Sequence, residues 1–188
     1  MLSKEENDIL IGSLLGDGCL RIMERCKFPA FSVSHSESHK DYVFWKYEKL
    51  KKWIKTPPWR EERIYHKDRN RKTFSWRFQT LSNEVFSGLY ETFYKNGKKI
   101  IPENIDELLK NSPLALAVWL MDDGNKNHQA VFLNTQSFSL NEQHKLTLEI
   151  LVRILRGGII FFFFGDVGYH RLGGQKYTGG GSRVLQGA

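Results

Sequence analysis

Two apolar helices that each end in aspartate and glycine constrain the fold of this chain more than any other feature. The first is predicted over Ser3–Gly16 and is followed by Asp17-Gly18. The second opens at Ser112-Pro113, continues through the apolar segment Leu114–Met121 and stops at Asp122-Asp123-Gly124. A carboxylate at a helix C-terminus faces the negative end of the helix dipole, which costs roughly 0.3–1 kcal/mol. One such end is typical of a simple turn, whereas two at matched positions indicate that the acids have a function.

The first helix also carries a signal for close packing. Ser3 and Glu6 fit an S-x-x-E capping box, which marks where the helix begins. Gly12 and Gly16 lie four residues apart on one helical face. Because glycine inside a helix costs about 1 kcal/mol relative to alanine, two glycines at this spacing predict a close backbone approach to another element.

Strands and helices follow each motif in the same order, so the chain contains an internal repeat. The elements predicted after the first motif are two strands within Leu20–Ser36, a helix over Asp41–Ile54, a hairpin of Arg60–Tyr65 and Thr73–Thr80, and a helix over Ser82–Tyr94. After the second motif, 106 residues later, the sequence predicts a strand over Val131–Ser137 and a helix over Leu140–Leu155. One repeat cannot easily cover both faces of its sheet, so the two are expected to pack together.

The positive charge is concentrated between the two motifs. The chain carries 28 Lys and Arg against 21 Asp and Glu, a net charge of +7, and residues 21–80 alone hold 16 bases and seven acids. This imbalance favours a surface that faces a polyanion such as nucleic acid, with a solvated basic face as the alternative. The lysines in and just after the helix predicted over Asp41–Ile54 are interpreted mostly as such a solvated face: Lys46, Lys49, Lys51, Lys52 and Lys55.

A further cluster of bases lies on the predicted hairpin. A two-stranded ribbon fits the major groove of DNA, where Arg and Lys side chains read guanine edges or contact phosphates. The predicted DNA-binding residues are Arg60, Arg63, Lys67, Arg69, Arg71, Lys72 and Arg77.

The acidic helix ends also predict a metal site. If the two helices pack side by side, Asp17 and Asp123 meet at one end, and like charges this close need a compensating cation. Mg²⁺ prefers oxygen ligands of this kind, and metal ions between two carboxylates and a DNA phosphate suit phosphodiester hydrolysis. A zinc site is less favoured, because Cys19 and Cys26 do not form a CxxC pair to accompany the H-x3-H spacing of His35 and His39.

The two motifs resemble a known sequence signature. Residues 10–18 (LIGSLLGDG) and 116–124 (LAVWLMDDG) are similar to the LAGLIDADG motif of homing endonucleases, which single-chain members carry twice. Three further segments resemble the organellar, intron-encoded branch of that family: KKIIP at 98–102, WLMDDG at 119–124 and LNTQSF at 133–138. The resemblance covers roughly residues 5–155, and two motifs at this separation with a basic, strand-rich region between them identify the chain as a member of the family.

The resemblance implies a fold and a reaction. The fold is an α+β arrangement of two αββαββα repeats about a pseudo-twofold axis, whose two four-stranded antiparallel sheets form a saddle in the DNA major groove. The reaction is Mg²⁺- or Mn²⁺-dependent hydrolysis of both strands of a specific duplex. Asp17 and Asp123 occupy the eighth motif position, that of the metal-binding catalytic acid, and Asp122, at the seventh, ranks below Asp123. Lys99 matches a basic residue that steadies the reacting phosphate or water.

The second repeat is predicted to be incomplete. Residues 1–105 form the first half and residues 106–156 begin the second. Residues 157–188 resemble neither the strands nor the helix of the first repeat, and 10 of these 32 residues are glycine. A truncated or frame-shifted reading would produce such an atypical tail, and an unusual but functional C-terminus is the less favoured alternative.

Other functions and properties follow from the same residues. An intron maturase would use the same basic surface to bind intron RNA, and an inactive remnant would bind DNA without cutting it. A monomer is expected, because both motifs pair within one chain. No membrane partner is predicted, because no apolar run approaches the roughly 20 residues of a membrane helix. A mitochondrial (or chloroplast) location comes from the resemblance alone.

Overall fold

The computed structural model describes residues 1–65, 68–110, 112–127, 130–135, 138–146, 162–164, 169–170 and 176–177. The chain divides into two compact units, Met1–Asp123 and Gly124–Ala188. The first unit holds both predicted motif helices and the basic region between them. The boundaries of the sequence repeats, which are defined by similarity and not by contacts, stay a prediction.

The first unit begins with the helix α1 (Lys4–Leu15), whose start has the predicted capping box. The Ser3 amide donates to Glu6 Oε2 at 2.6 Å, and the Glu6 amide donates to Ser3 Oγ at 3.2 Å. Every residue from Asp8 to Leu15 is buried. This part of the helix therefore runs through the core and is covered by protein on all sides.

A four-stranded antiparallel sheet follows α1. Its strands are β1 (Cys19–Ile22), β2 (Pro29–Ser36), β3 (Trp59–Tyr65) and β4 (Asp68–Gln79), in the spatial order β1-β2-β4-β3. Two helices complete the repeat: α2 (Lys40–Leu50), which a 3-10 turn extends to Trp53, and α3 (Ser87–Phe93), which a 3-10 turn precedes. The order αββαββα confirms the fold expected for the first half.

The two faces of this sheet differ in chemistry. Along β2, Phe31, Val33 and His35 are buried, while Ser32 and Ser34 between them are partly exposed. Helix α2 covers the buried face with ring contacts, Phe44 to Trp76 at 5.3 Å and Tyr47 to Phe78 at 6.3 Å. The opposite face, here called the open face, carries the side chains that alternate with these along β2 and β4: Ser32, Ser34, Arg77 and Gln79.

A short hairpin and two helices complete the unit. The strands β5 (Tyr94–Lys95) and β6 (Lys98–Lys99) are joined by Asn96 and Gly97, which have φ values of 53° and 75°. Two left-handed residues are what a tight hairpin turn requires. The helices are α4 (Ile105–Lys110) and α5 (Pro113–Asp123). The Ser112 hydroxyl accepts from the Ala115 amide at 3.2 Å, so Ser112 caps α5 as predicted.

Helices α1 and α5 pack against each other at the two glycines of α1. A Cβ atom on Gly12 would meet the Ala115 carbonyl oxygen and lie 2.8 Å from Val118 Cβ. A Cβ atom on Gly16 would meet the Asp122 side chain, with Oδ2 3.0 Å away. The close approach predicted from the glycine spacing is confirmed, and its partner is the second motif helix.

The second unit has a smaller sheet among its described residues. Strands β7 (Gly124–Asn127) and β8 (Ala130–Asn134) pair antiparallel, whereas β9 (Phe162–Phe164) pairs parallel to β8. The third strand therefore differs from the antiparallel pattern of the first sheet, and its phenylalanine run has no counterpart there. Residues 140–146 are helical, and the rest of the helix predicted over Leu140–Leu155 lies outside the described residues. Strands β10 (Tyr169–His170) and β11 (Lys176–Tyr177) form a separate pair.

No helix in the described ranges is long and apolar enough to cross a membrane.

The glycine contact predicts that Gly12→Ala destabilises the protein. The new methyl group would overlap the backbone and side chains of α5, and such overpacking costs about 1–3 kcal/mol. Gly88→Ala in α3 is the matched control, because no atom beyond its chain neighbours and the backbone of its own helix lies within 4 Å of the added Cβ. This control gains helix propensity and should be neutral or stabilised by up to about 1 kcal/mol. Urea denaturation of both variants measures the difference, and equal midpoints would contradict the packing described.

Candidate active site

Three carboxylates gather where the two motif helices end. Asp17 follows α1, and its side chain is 47% exposed, whereas the side chain of Asp122 in the last turn of α5 is fully buried. Asp123 is half-buried beside it. Burial, together with the negative charges of Asp17 and Asp122, raises the pKa of Asp123 to about 7. The charge of Asp17 thus acts on the pKa of Asp123. This agrees with the sequence prediction that the two acids meet at one end of a helix pair.

Asp122 is held by a buried lysine and a tyrosine from α2. Lys46 Nζ lies 2.7 Å from Asp122 Oδ1 and 3.0 Å from Oδ2. The Tyr42 hydroxyl donates to Asp122 Oδ1 at 2.8 Å. Burial lowers the pKa of Lys46, while the charge of Asp122 opposes that shift. Burial also raises the pKa of Tyr42, reinforced by the same carboxylate. Both oxygens of Asp122 are thus engaged within the protein.

The interpretation of Lys46 as part of a solvated face is wrong, because its side chain is completely buried. The other four lysines of that set are exposed or partly exposed; Lys49 pairs with Glu5 at 2.6 Å. Residues Val43, Lys46 and Leu50 of α2 share the buried face. This i, i+3, i+7 spacing is that of an apolar stripe, and a lysine at its centre was the available signal for a buried charge.

His35 connects this pair to Asp17. Its ring is 5% exposed, with Nδ1 3.1 Å from Asp17 Oδ2 and Nε2 3.4 Å from Lys46 Nζ. The alternation along β2 puts His35 on the buried face with Phe31 and Val33. That pattern gave no indication of the contact with Asp17, because sequence spacing along one strand carries no information about the end of another helix.

Lys99 lies at the loop that carries Asp17. Its Nζ donates to the carbonyl oxygens of Gly16 at 2.7 Å and Gly18 at 3.1 Å. Burial lowers the pKa of Lys99, and the negative charges of Asp123 and Asp17 oppose that shift. The three residues predicted to be catalytic, Asp17, Asp123 and Lys99, therefore lie in one electrostatic cluster.

The predicted DNA-binding residues separate into three groups. Arg77 lies on the open face, where its guanidinium is 5.3 Å from the Trp59 ring centroid and its Nη1 is 3.4 Å from both Glu61 carboxylate oxygens. Arg77 Nε is buried without a hydrogen-bond partner in the described part of the chain. The remaining predicted contacts lie elsewhere on the ribbon.

Arg60 and Lys72 occupy strand positions that alternate with Arg77 and so lie on the side of the sheet that α2 covers. Arg60 Nε is 2.7 Å from Glu37 Oε2, and its guanidinium lies 3.6 Å from the Phe74 ring centroid. Lys72 pairs with Glu62 at 2.9 Å. Both cations are thus already engaged with carboxylates. The side chains of the third group lie outside the described part of the chain: Arg63, Lys67, Arg69 and Arg71.

The likeness of the chain to known proteins is extensive. The model of the LAGLIDADG DNA endonuclease family matches residues 7–155. The chain is 34% identical over 148 residues to the cytochrome b mRNA maturase bI2 of Debaryomyces hansenii, covering 77% of this chain and 55% of that protein. It is 32% identical over 150 residues to the DNA endonuclease I-ChuI of Chlamydomonas applanata, covering 73% of this chain and 67% of that protein. The chain therefore spans between about half and two thirds of the length of these curated relatives.

The fold has a solved counterpart as well. The structure of the homing endonuclease I-WcaI bound to its DNA recognition sequence matches with a TM-score of 0.71 and 29% sequence identity, over 82% of this chain and 70% of that chain. The family resemblance found in the two motifs is thereby confirmed. Since the family model covers most of the chain and includes both motif helices, the chain belongs to the LAGLIDADG DNA endonuclease family.

Proposed function

We propose that this protein is a site-specific homing endonuclease that hydrolyses both strands of duplex DNA. The observation that carries the proposal is the coupling of Asp17 to Asp123 through the close packing of α1 on α5. These acids occupy the motif position of the metal-binding acid, on separate helices 106 residues apart. Hydrolysis of a phosphodiester needs an activated water and charge stabilisation at the phosphate, and two such carboxylates suit a metal ion that supplies both.

The donor set fits a hard divalent cation, Mg²⁺ or Mn²⁺. Asp17 and Asp123 would hold it. Burial and, after it, the negative charges of Asp17 and Asp122 raise the pKa of Asp123, and a cation would neutralise that charge. When bound, the ion lowers the pKa of a coordinated water and polarises the phosphate. The described residues contain no group of three or more His, Cys, Asp or Glu arranged for a metal. Oxygens of water and of a DNA phosphate would complete the coordination.

The chain's own residues divide the remaining work. Lys99 fixes the loop of Asp17 through its bonds to the Gly16 and Gly18 carbonyl oxygens. Its ammonium group also supplies the positive charge that would steady the reacting phosphate or water. Asp122 is not proposed as a ligand, because Lys46 and Tyr42 already engage its oxygens.

The open face supports duplex DNA as the partner. Its serines, glutamine and arginine lie on the four-stranded sheet and can donate hydrogen bonds to phosphates and base edges. Arg77 is proposed as a direct contact, because it lies on the open face and its side chain is 29% exposed. Arg63, Lys67, Arg69 and Arg71 remain proposed contacts, as do Arg60 and Lys72 once their carboxylate pairs open. We further propose that the protein is a monomer and that it acts in an organelle, either the mitochondrion or the chloroplast. The first repeat is proposed to occupy residues 1–105.

The first prediction concerns the two acids. Asp17→Asn and Asp123→Asn should each reduce cleavage by at least about a thousandfold, because each removes a proposed metal ligand, while binding in Ca²⁺ stays within about threefold. The substrate is a duplex selected from a random library in Ca²⁺, and cleavage of both strands is followed on a denaturing gel after a change to Mg²⁺.

Asp41→Asn serves as the matched control, since Asp41 is exposed at the start of α2. It should cut at the rate of the unmodified protein. Normal cleavage by either motif variant would rule out the assignment of the acids.

The second prediction concerns pH and metal. The folded protein holds the pKa of Asp123 at about 7 against an ordinary value of 3.8, so folding favours the protonated carboxyl. The stability of the protein should therefore fall as pH rises from about 4 to 7. Asp123→Asn removes this loss and should have the higher Tm in mildly alkaline buffer, with the difference vanishing below about pH 4.

Calcium distinguishes a metal site from a merely buried acid. In mildly alkaline buffer, Ca²⁺ should raise the Tm of the unmodified protein by neutralising the clustered carboxylates. The Asp123→Asn variant should respond much less. Equal shifts in both proteins would place the ion elsewhere.

The third prediction concerns Arg77. Arg77→Ala should weaken DNA binding and, if Arg77 contacts a phosphate, reduce the slope of log K against log salt by about 0.9. Lys51→Ala is the control, because Lys51 is exposed beyond α2 and pairs with Glu48. Fluorescence anisotropy over a salt series measures both, and an unchanged affinity for Arg77→Ala would remove the open face from the DNA interface.

RNA binding as an intron maturase is the second candidate function. The likeness to a cytochrome b mRNA maturase at 34% identity favours it. A maturase would bind folded intron RNA and would not need to cut DNA. Tighter binding of folded intron RNA than of the selected duplex, in direct competition, would favour this function, and the absence of cleavage despite tight duplex binding would favour an inactive remnant.

A further inference from the structure

We propose that Lys46 and His35 are positioning residues, which form a buried hydrogen-bonded chain that fixes the direction of the Asp17 carboxylate. In this chain Lys46 determines which nitrogen of His35 carries the proton, and His35 then donates to Asp17. The effect of this hydrogen-bonded chain on catalysis rests on the proposed endonuclease function. The contacts among Lys46, His35 and Asp17 do not depend on that function.

The first link is Lys46, whose buried ammonium group can only donate hydrogen bonds. It donates to Asp122 Oδ1 and Oδ2, and its third hydrogen-bond contact among the described residues is His35 Nε2 at 3.4 Å. Because an ammonium group has no lone pair, Nε2 has to be the acceptor in this contact. Asp122 Oδ1 lies 3.6 Å from Nε2, which is too far for a hydrogen bond from the ring.

The second link is the imidazole ring of His35. A neutral imidazole carries one N–H and one acceptor nitrogen, so an accepting Nε2 leaves the proton on Nδ1. Nδ1 lies 3.1 Å from Asp17 Oδ2, within hydrogen-bond distance. The protonated nitrogen is therefore the ring atom that lies beside the carboxylate. The ring is 5% exposed and packs at 5.2 Å from the Tyr42 ring, so it has little freedom to turn away.

The third link is the carboxylate itself, which needs an anchor. Asp17 lies beyond the end of α1 and its side chain is 47% exposed, so it would otherwise rotate among several orientations. A reacting group that is free to rotate loses part of the advantage of orientation. Lys99 fixes the backbone of this loop through two carbonyl oxygens. His35 fixes the side chain.

A spectroscopic experiment tests the chain without DNA or metal. In a ¹⁵N-histidine-labelled protein in mildly alkaline buffer, long-range ¹H–¹⁵N spectra should show His35 with the proton on Nδ1. The double variant Lys46→Met, Asp122→Asn replaces the buried ion pair with neutral groups, which is often tolerated. In it the proton should move to Nε2 in a measurable fraction of molecules. A proton on Nε2 in the unmodified protein would overturn the proposal.

A pair of substitutions tests the consequence for the reaction. His35→Asn keeps an N–H donor near the position of Nδ1, whereas His35→Gln places its amide near Nε2 and loses the donor to Asp17. Single-turnover cleavage should fall about 10- to 100-fold in His35→Gln and stay within about threefold in His35→Asn. Binding in Ca²⁺ should be unchanged in both.

The outcomes separate this proposal from the endonuclease function. Equal cleavage rates for the two variants, whether both normal or both impaired, would overturn the positioning role of His35. If the unmodified protein does not cleave DNA, the endonuclease function fails, and the proton position on His35 still decides whether the chain exists.

Discussion

The contact between α1 and α5 at Gly12 and Gly16 is the constraint on which the site depends. Two helices can approach this closely only where one of them lacks side chains. Here atoms of α5 occupy the space that a Cβ atom on Gly12 or Gly16 would fill. The approach brings the ends of both helices together, and with them Asp17, Asp122 and Asp123. Any residue larger than glycine would separate the acids as well as weaken the core.

The clustered negative charge is balanced from within the protein by buried positive charge. Lys46 neutralises Asp122, and Lys99 lies in the field of Asp123 and Asp17. Removing a charge from water is expensive unless it is paired, and burial lowers the pKa of both lysines. The charge of Asp122 is therefore balanced by Lys46, whereas the negative charge of Asp123 is only partly balanced by nearby positive charge. An acid in this state is suited to binding a cation.

Much of the first repeat could be predicted from the sequence, because its signals are local. The capping box, the glycine spacing, the strand alternation and the hairpin bases each lie within a few residues, and the structure has the element order that they predict. The partners of Lys46 and His35 could not be predicted by the same means. They lie on other elements, and the apolar spacing of Val43, Lys46 and Leu50 that signals a buried lysine does not identify what the lysine contacts. The parallel strand β9 was also unexpected, since strand direction depends on a distant partner.

The separation of the site residues along the chain has a consequence for synthesis of the protein. Asp17 is made before its neighbours Asp122 and Asp123, which follow more than 100 residues later. Contacts at this separation form late, because a long loop has to close before they contribute any free energy. A nascent chain that has folded only its first sheet would already present the basic ribbon while lacking the second acid. Such an intermediate would carry the basic hairpin before it acquired a complete carboxylate pair.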